Sequence, residues 1–326
     1  MLNIFSPSNY APFNIAAEEY ILNTFDEDCF LLYINSPCII VGRFQNTLAE
    51  INHDWVKEHN IPVVRRLTGG GTVFHDLGNL NFSFIMKGMA ESSEGFARYT
   101  APVLEVLNDL GVPAILQGRN DLTINGLKFS GNAKLVAEGK TLQHGTILFS
   151  SHVENLVAAL KVNPLKFSDK AVKSVRARVT NVSDHLKSPM QLAEFIPLVR
   201  AKVHGMYPQS RNYFFTTADK AAIQSLVESK YDTWDWNYGK SPQFTLAQAV
   251  RTAAGTVELY LNVEAGTISS LTIHGDFFCS RDISELQRAF QGVQHTPEAV
   301  REAFIKADYQ SYLGATALDE IINAMF

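Results

Sequence analysis

Residues 65–79 read Arg65-Arg66-Leu67-Thr68-Gly69-Gly70-Gly71-Thr72-Val73-Phe74-His75-Asp76-Leu77-Gly78-Asn79. Two guanidiniums precede three consecutive glycines, and a His-Asp pair follows a short apolar stretch. Glycine lets a ligand approach the main chain closely, and successive amide N–H groups in such a turn form an anion-binding concavity. Arginine adds a planar, permanently charged fork that suits phosphate and carboxylate oxygens. The guest that these residue types suit is a phosphorylated or adenylated small molecule. The pattern is not G-x-x-x-x-G-K-[ST], nor a G-x-G-x-x-G that opens a helix. Val73 and Phe74, then Leu80, Phe82 and Phe84, read as strand. The glycines are therefore expected to join two strands, over 61–67 and 72–86, which points away from a nucleotide-binding βα unit. The competing reading is a plain Gly-rich hairpin loop with solvent-facing arginines. Arg65 and Arg66 are neighbours on a strand, so their side chains point to opposite faces and only one should enter a site. Spacing does not say which.

Two further stretches suit the same chemistry. Gly118-Arg119-Asn120-Asp121 forms a turn before the strand-like Leu122-Thr123-Ile124, and Lys128-Phe129-Ser130-Gly131-Asn132 follows the hairpin signal Asn125-Gly126. In an extended segment Lys128 and Ser130 share one face and Phe129 takes the other. A core would receive Phe129, and a cleft would receive Lys128 and Ser130. The alternative is a surface strand with an exposed lysine. His75 and Asp76 either polarise a substrate group or form a satisfied turn histidine capped by an aspartate. His144 carries the same pair of readings, and Asp121 is either a Mg²⁺ or ATP partner or a turn cap.

Working outward, 326 residues exceed what one core usually fills. With 46% hydrophobic and 19% charged residues the chain reads as globular, not disordered. A net charge of −5 argues against a general nucleic-acid binder. No apolar run approaches the ~18 residues of a membrane span, and the first residues lack a basic flank and a secretory core. Cys29, Cys38 and Cys279 are odd in number and widely spaced, which suggests neither a disulfide framework nor a zinc site and fits a reducing cytoplasm. Asn14 is expected to cap a helix with Ile15, Ala16, Tyr20, Leu22 and Phe25 along one side. Strands are expected at 30–35, 39–43 and through most of 113–150, with helices around 95–110, 152–161, 190–206 and 217–230. Strands and helices in blocks argue for an α+β fold with a mixed or antiparallel sheet. A basic run over 161–180 holds Lys161, Lys166, Lys170, Lys173, Arg176 and Arg178 against Asp169. Aromatics then give way to a linker at Trp234–Pro242. Beyond it, strands at 257–263 and 268–274 and helices at 282–291, 297–307 and 315–325 make a small domain.

Taken in order, these motifs resemble the lipoate–protein ligase family. The resemblance rests on Asn14…Ala17-Glu18-Glu19, Val41-Gly42-Arg43…Gln45-Asn46 and the 65–79 block. It continues in Gly118-Arg119-Asn120-Asp121, Lys128-Phe129-Ser130-Gly131, His144-Gly145-Thr146 and Ser174-Val175-Arg176-Ala177-Arg178-Val179-Thr180-Asn181. Softer matches are Tyr238-Gly239-Lys240-Ser241-Pro242 and Gly275-Asp276-Phe277-Phe278. It implies a biotin/lipoate ligase-like catalytic domain with mixed or antiparallel sheets over 1–240 and a small α/β C-terminal accessory domain over 246–326.

The implied activity has two steps: lipoate and ATP form lipoyl-adenylate, and the lysine of an acceptor domain then attacks the mixed anhydride. The implied acceptors are lipoyl domains of 2-oxoacid dehydrogenase subunits, a glycine-cleavage carrier, or both, with no nucleic acid or membrane partner. Carried over from the family, Arg66, Gly71, Thr72, Val73, Phe74 and Lys128 bind ATP, and Lys128, Gly70 and His75 bind lipoate. Lys128 is the catalytic residue, Asp121 is the candidate for Mg²⁺, and the basic loop would close over the adenylate through Arg176 or Arg178. Thr68 stands where relatives often carry serine, which keeps the hydroxyl. One rival is an octanoyl or lipoyl transferase of this fold that works through a cysteine thioester, and another is a non-catalytic lipoyl-binding module. A biotin ligase is disfavoured because its Gly-Arg-Gly-Arg-x-Gly-Arg segment is absent.

Overall fold

The computed structural model describes residues 1–43, 45, 47–88, 96–118, 120–160, 178–240, 244–252, 255–275, 281–314 and 316–326. Among them the strands run β1 (Leu2–Phe5), β2 (Cys29–Ile34), β3 (Cys38–Val41), β4 (Val63–Arg65), β5 (Val73–His75), β6 (Asn79–Lys87) and β7 (Ala114–Gln117). They continue as β8 (Asp121–Ile124), β9 (Leu127–Ala137), β10 (Lys140–Leu148), β11 (Arg211–Tyr213), β12 (Phe244–Thr252), β13 (Gly255–Glu264) and β14 (Thr267–Gly275). The chain divides into two compact units, 1–43 with 50–233, and 44–49 with 234–326.

In the first unit an eight-stranded sheet has the order β11-β1-β2-β6-β10-β9-β8-β7. β1 is parallel to β11 and to β2, and the remaining pairs are antiparallel. The α+β reading with a mixed sheet matches this arrangement. Period-2 alternation explains β6: Leu80, Phe82 and Phe84 face the core, while Asn79, Asn81 and Ser83 occupy the other face and are also buried. The core side is closed by the helices Ala97–Asp109 and Leu192–Met206, which contribute Tyr99, Val103, Leu107, Phe195, Val199 and Val203. The polar side is what positions the site.

A three-stranded sheet, β4-β3-β5, sits beside it, with β3 parallel to β4 and antiparallel to β5. The glycine run therefore crosses from one edge of β3 to the other, and is not a hairpin. The single strand expected over 72–86 is two: the turn at Asp76–Gly78 sends β5 to the small sheet and β6 to the large one. Asn14 does not cap its helix, which spans Ala11–Thr24 and begins at Tyr10-Ala11-Pro12 with proline in the first turn. Asn14 is fully buried inside it.

The second unit has an antiparallel meander, β12-β13-β14, covered by helices that include Ile283–Arg288, Pro297–Lys306 and Leu318–Ala324. Leu259, Leu261, Ile273, Phe290, Phe304 and Ile321 form its core. β12 begins at Phe244, just beyond the stretch that composition suggested was linker.

Candidate active site

A cavity in the first unit is lined by Arg66, Gly70, Gly71, Thr72, Val73 and His75 from one side and by Lys128 and His144 from the other. Arg66 is 6% exposed and organises the loop around itself. Its Nε donates to Thr68 Oγ1 at 3.0 Å, one terminal nitrogen donates to the Ile40 carbonyl at 3.3 Å, and the other donates to the Gly69 and Gly71 carbonyls at 2.7 and 2.8 Å. The loop thus curls about a guanidinium, and Gly70 permits the curl: its φ is +93°, and a Cβ there would stand 3.0 Å from the Arg66 terminal nitrogen. Nothing lies within 4 Å of a Cβ built on Gly71. Arg65 points the other way and is also fully buried, donating to the Gly42 and Arg43 carbonyls at 2.9 and 3.0 Å. The arginines of this loop are interior groups. Burial lowers both guanidiniums to about 10, with Glu18 and Tyr33 opposing the shift at Arg66, so both are charged at neutral pH.

Alternation along β5 puts Val73 and His75 in the cavity and turns Phe74 away, edge-on to Trp55 at 6.0 Å. Phe74, expected among the ATP-binding residues, is not part of the cavity lining. His75 is 3% exposed, and its pKa is pushed down to about 3 by burial, then by the charges of Arg66 and His144. The adjacent Asp76 does not cap it: the Asp76 carboxylate takes the N–H groups of Gly78 and His152 at 2.9 and 2.8 Å and holds the turn.

Lys128 reaches the cavity from the start of β9, and its Nζ lies 2.7 Å from Asp121 Oδ1 with both side chains about two-fifths exposed. Phe129 enters the core. Ser130 does not join Lys128 in the cavity, because a β-bulge in the β8–β9 pairing interrupts the alternation and Ser130 is buried beside Asn132. The Lys128 N–H donates to the Arg178 carbonyl at 2.7 Å, and the Thr180 N–H donates to the Lys128 carbonyl at 2.9 Å. The backbone at the end of the basic run is thereby laid beside Lys128. Arg176, Arg119 and residues 161–177 lie outside the described residues, as do Cys279 and the 276–278 part of the C-terminal motif.

Sequence reasoning assigned no role to a buried chain of polar groups beneath the loop. Arg66 Nε donates to Thr68 Oγ1, which lies 2.7 Å from His144 Nε2; His144 Nδ1 lies 2.9 Å from the Glu18 carboxylate, and Tyr33 Oη donates to Glu18 at 3.1 Å. Glu18 is 1% exposed. It places a carboxylate within reach of a buried cation without touching it. The available signal was a Glu set among the apolar residues Ile15-Ala16-Ala17-Glu18…Ile21-Leu22.

Among the described residues no group of three or more His, Cys, Asp or Glu side chains is placed to hold a metal ion. Cys29 and Cys38 are buried, and burial first of all raises both thiols, Cys29 to about 12. Neither is an activated thiolate.

Residues 10–204 match the lipoyl protein ligase A/B catalytic domain, and residues 241–325 match the bacterial lipoate protein ligase C-terminus. The chain is 39% identical to "Lipoate-protein ligase LplJ" of Bacillus subtilis over 320 residues, 96% of each chain. It is 40% identical to "Lipoate--protein ligase 1" of Staphylococcus aureus over 314 residues, covering 96% of this chain and 95% of that one. A bi-partite lipoate protein ligase of Thermoplasma acidophilum, solved in work that includes its E2 lipoyl domain, superposes with a TM-score of 0.66 at 30% identity over 73% of this chain and 96% of that one. A lipoate-protein ligase A bound with ATP superposes at 0.64 with 26% identity, over 74% and 100%. A T. acidophilum ligase structure with bound lipoic acid gives 0.63 at 26%, over 73% and 98%.

Proposed function

The chain belongs to the lipoate–protein ligase family, and from that premise we propose how its own residues carry the reaction. A lipoate carboxylate oxygen attacks the α-phosphorus of ATP, pyrophosphate leaves, and lipoyl-adenylate remains bound. The neutral ε-amine of an acceptor-domain lysine then attacks the acyl carbon, AMP leaves, and the amine gives up a proton as the amide forms. Charge builds at the α-phosphorus in the first step and at the acyl oxygen in the second, so preorganised cations and N–H donors must meet both.

The observation that carries this reading is the convergence of Arg66, the Gly70-Gly71-Thr72-Val73 backbone, His75 and Lys128 on one cavity. In this reading Arg66, through the loop it shapes, and Gly71, Thr72, Val73 and the Phe74 backbone take the phosphates. Gly70 and His75 face the lipoyl group. Lys128 stands between α-phosphate and acyl carbonyl. Arg178 belongs at the adenylate because its backbone adjoins that of Lys128. Asp121 suits Mg²⁺ as the single carboxylate that this ion takes together with substrate phosphates, which supply the rest of its oxygens. The ion would neutralise phosphate charge, and Asp121 would then exchange its partner Lys128 for it.

A catalytic domain over 1–240 and an accessory domain over 246–326 belong to the same reading, as do acceptor domains of 2-oxoacid dehydrogenase subunits or a glycine-cleavage carrier as partners. A cytoplasmic setting is part of it too. Among the described residues no helix is long and apolar enough to cross a membrane. The test mixes protein, lipoate, ATP and Mg²⁺ and reads pyrophosphate, then adds each acceptor domain and reads its mass. Pyrophosphate and a lipoylated acceptor are expected; no pyrophosphate from folded protein would overturn the reading.

A further inference from the structure

His75 lines the cavity, and which of its ring nitrogens carries the proton is decided elsewhere. Asn35 is fully buried at the end of β2, and its side-chain nitrogen lies 3.0 Å from His75 Nδ1. The orientation of that amide is set in turn by Asn14. The Asn14 nitrogen donates to the Ser8 carbonyl at 2.9 Å, a backbone oxygen that can only accept. The same nitrogen donates to Asn35 Oδ1 at 2.8 Å, and Asn14 Oδ1 accepts from Ser6 Oγ at 2.5 Å. Reversing Asn14 would put its oxygen against the Ser8 carbonyl, so Asn14 is fixed; Asn35 must then offer its oxygen to Asn14 and its nitrogen to His75. His75 Nδ1 accepts, and the proton of the neutral ring sits on Nε2. Among the described residues Nε2 is buried with no hydrogen-bond partner, and His75 lines the cavity. A buried donor without a partner costs stability, and one on a residue that lines a cavity is available to an acceptor atom of a ligand there.

We propose that Asn14 and Asn35 are positioning residues that lock His75 in the Nε2–H tautomer and present that N–H to an acceptor atom of the carboxylic acid substrate. Charge makes a neutral donor useful here: Arg66 and Lys128 already bring two cations to the cavity, and a third at His75 would add repulsion. A neutral N–H adds direction without charge. Fixing the ring through its other nitrogen is the way protein sites generally choose a tautomer. The part of this inference that concerns substrate rests on the cavity being the lipoate site; the tautomer does not.

The test begins with the wild-type, ligand-free protein labelled with ¹⁵N at histidine, with His75→Gln used to assign the ring. Near neutral pH the His75 Nδ1 should have a pyridine-type shift and Nε2 a pyrrole-type shift. The opposite pattern, or an imidazolium, would overturn the proposal whatever the enzyme does. In Asn35→Asp the carboxylate accepts from the ring, so Nδ1 should become protonated; a folded Asn35→Asp with pyridine-type Nδ1 would also overturn it. Asn35→Leu should raise the KM for lipoate by about tenfold, the scale of one lost hydrogen bond, with the KM for ATP within about twofold. An unchanged lipoate KM alongside the expected wild-type spectrum would remove the substrate role. Absence of any wild-type pyrophosphate release, with the spectrum as expected, would count against the ligase reading and leave the tautomer standing.

Discussion

The Arg66 side chain makes four hydrogen bonds, all to its own loop and to β3, so truncating it removes a charge and also the scaffold of the glycine loop. Arg66→Ala should therefore weaken ATP binding far more than Arg65→Ala, whose guanidinium braces the Gly42 and Arg43 carbonyls away from the cavity. Arg65→Ala should instead lower stability by about 1–3 kcal/mol through unsatisfied buried carbonyls. Isothermal titration with ATP and a urea melt separate the two, and equal ATP affinities would defeat the distinction. Lys128→Ala deletes the half-exposed ammonium at the cavity, and adenylate formation should fall on the order of 10²-fold or more. Near-wild-type pyrophosphate release by that variant would exclude Lys128 from catalysis. At this scale residue types were legible in the sequence, and partners were not. The 65–79 block suggested an anion site, but nothing local said that Arg66 would hold its own loop or that Asp76 would hold a turn instead of His75.

Pairing explains the motif His144-Gly145-Thr146. β10 lies between β6 and β9, and Gly145 faces Phe82 in one neighbour and Asn132 in the other. A Cβ at 145 would stand 2.2 Å from Asn132 Oδ1 and 2.6 Å from the Phe82 ring. Gly145→Ala should then cost about 1–3 kcal/mol, the usual scale of overpacking, and lower the thermal midpoint while the folded fraction still binds ATP. An unchanged midpoint would mean that the strands part easily there. The existence and type of most elements followed from period and from turn residues. Their boundaries and partners did not: a reader of 72–86 sees one apolar run, whereas three turn residues divide it between two sheets. Asn14 looked like a cap because asparagine at a helix start usually is one. Its burial against Asn35, 21 residues away, outweighs that preference.

Stability of the molecule should carry the mark of His75. Its folded pKa is about 3 against an ordinary 6.5, so the folded form keeps the ring neutral while the unfolded chain protonates it as pH falls below about 6.5. The group's contribution is intact above the ordinary value and is lost progressively down to about 3. Between pH 7 and 5 the wild type should lose about 2 kcal/mol more stability than His75→Gln; parallel urea midpoints for the two would contradict a neutral buried ring. Cys29→Ala with Cys38→Ala should remain an active ligase if circular dichroism shows it folded, because both thiols are buried with raised pKa values and no adenylate step uses one. A folded but inactive variant would favour a thioester route. The sequence by itself determined the α+β class and the family, because strand period, glycine conformation and motif order are all written in near neighbours. Only the tertiary structure decided that Glu18 lies behind His144, 126 residues apart, and that the Asn35 amide meets His75 Nδ1. Burial forces each polar group to find a partner, and that partner comes from whichever strand or helix the fold brings within about 3 Å.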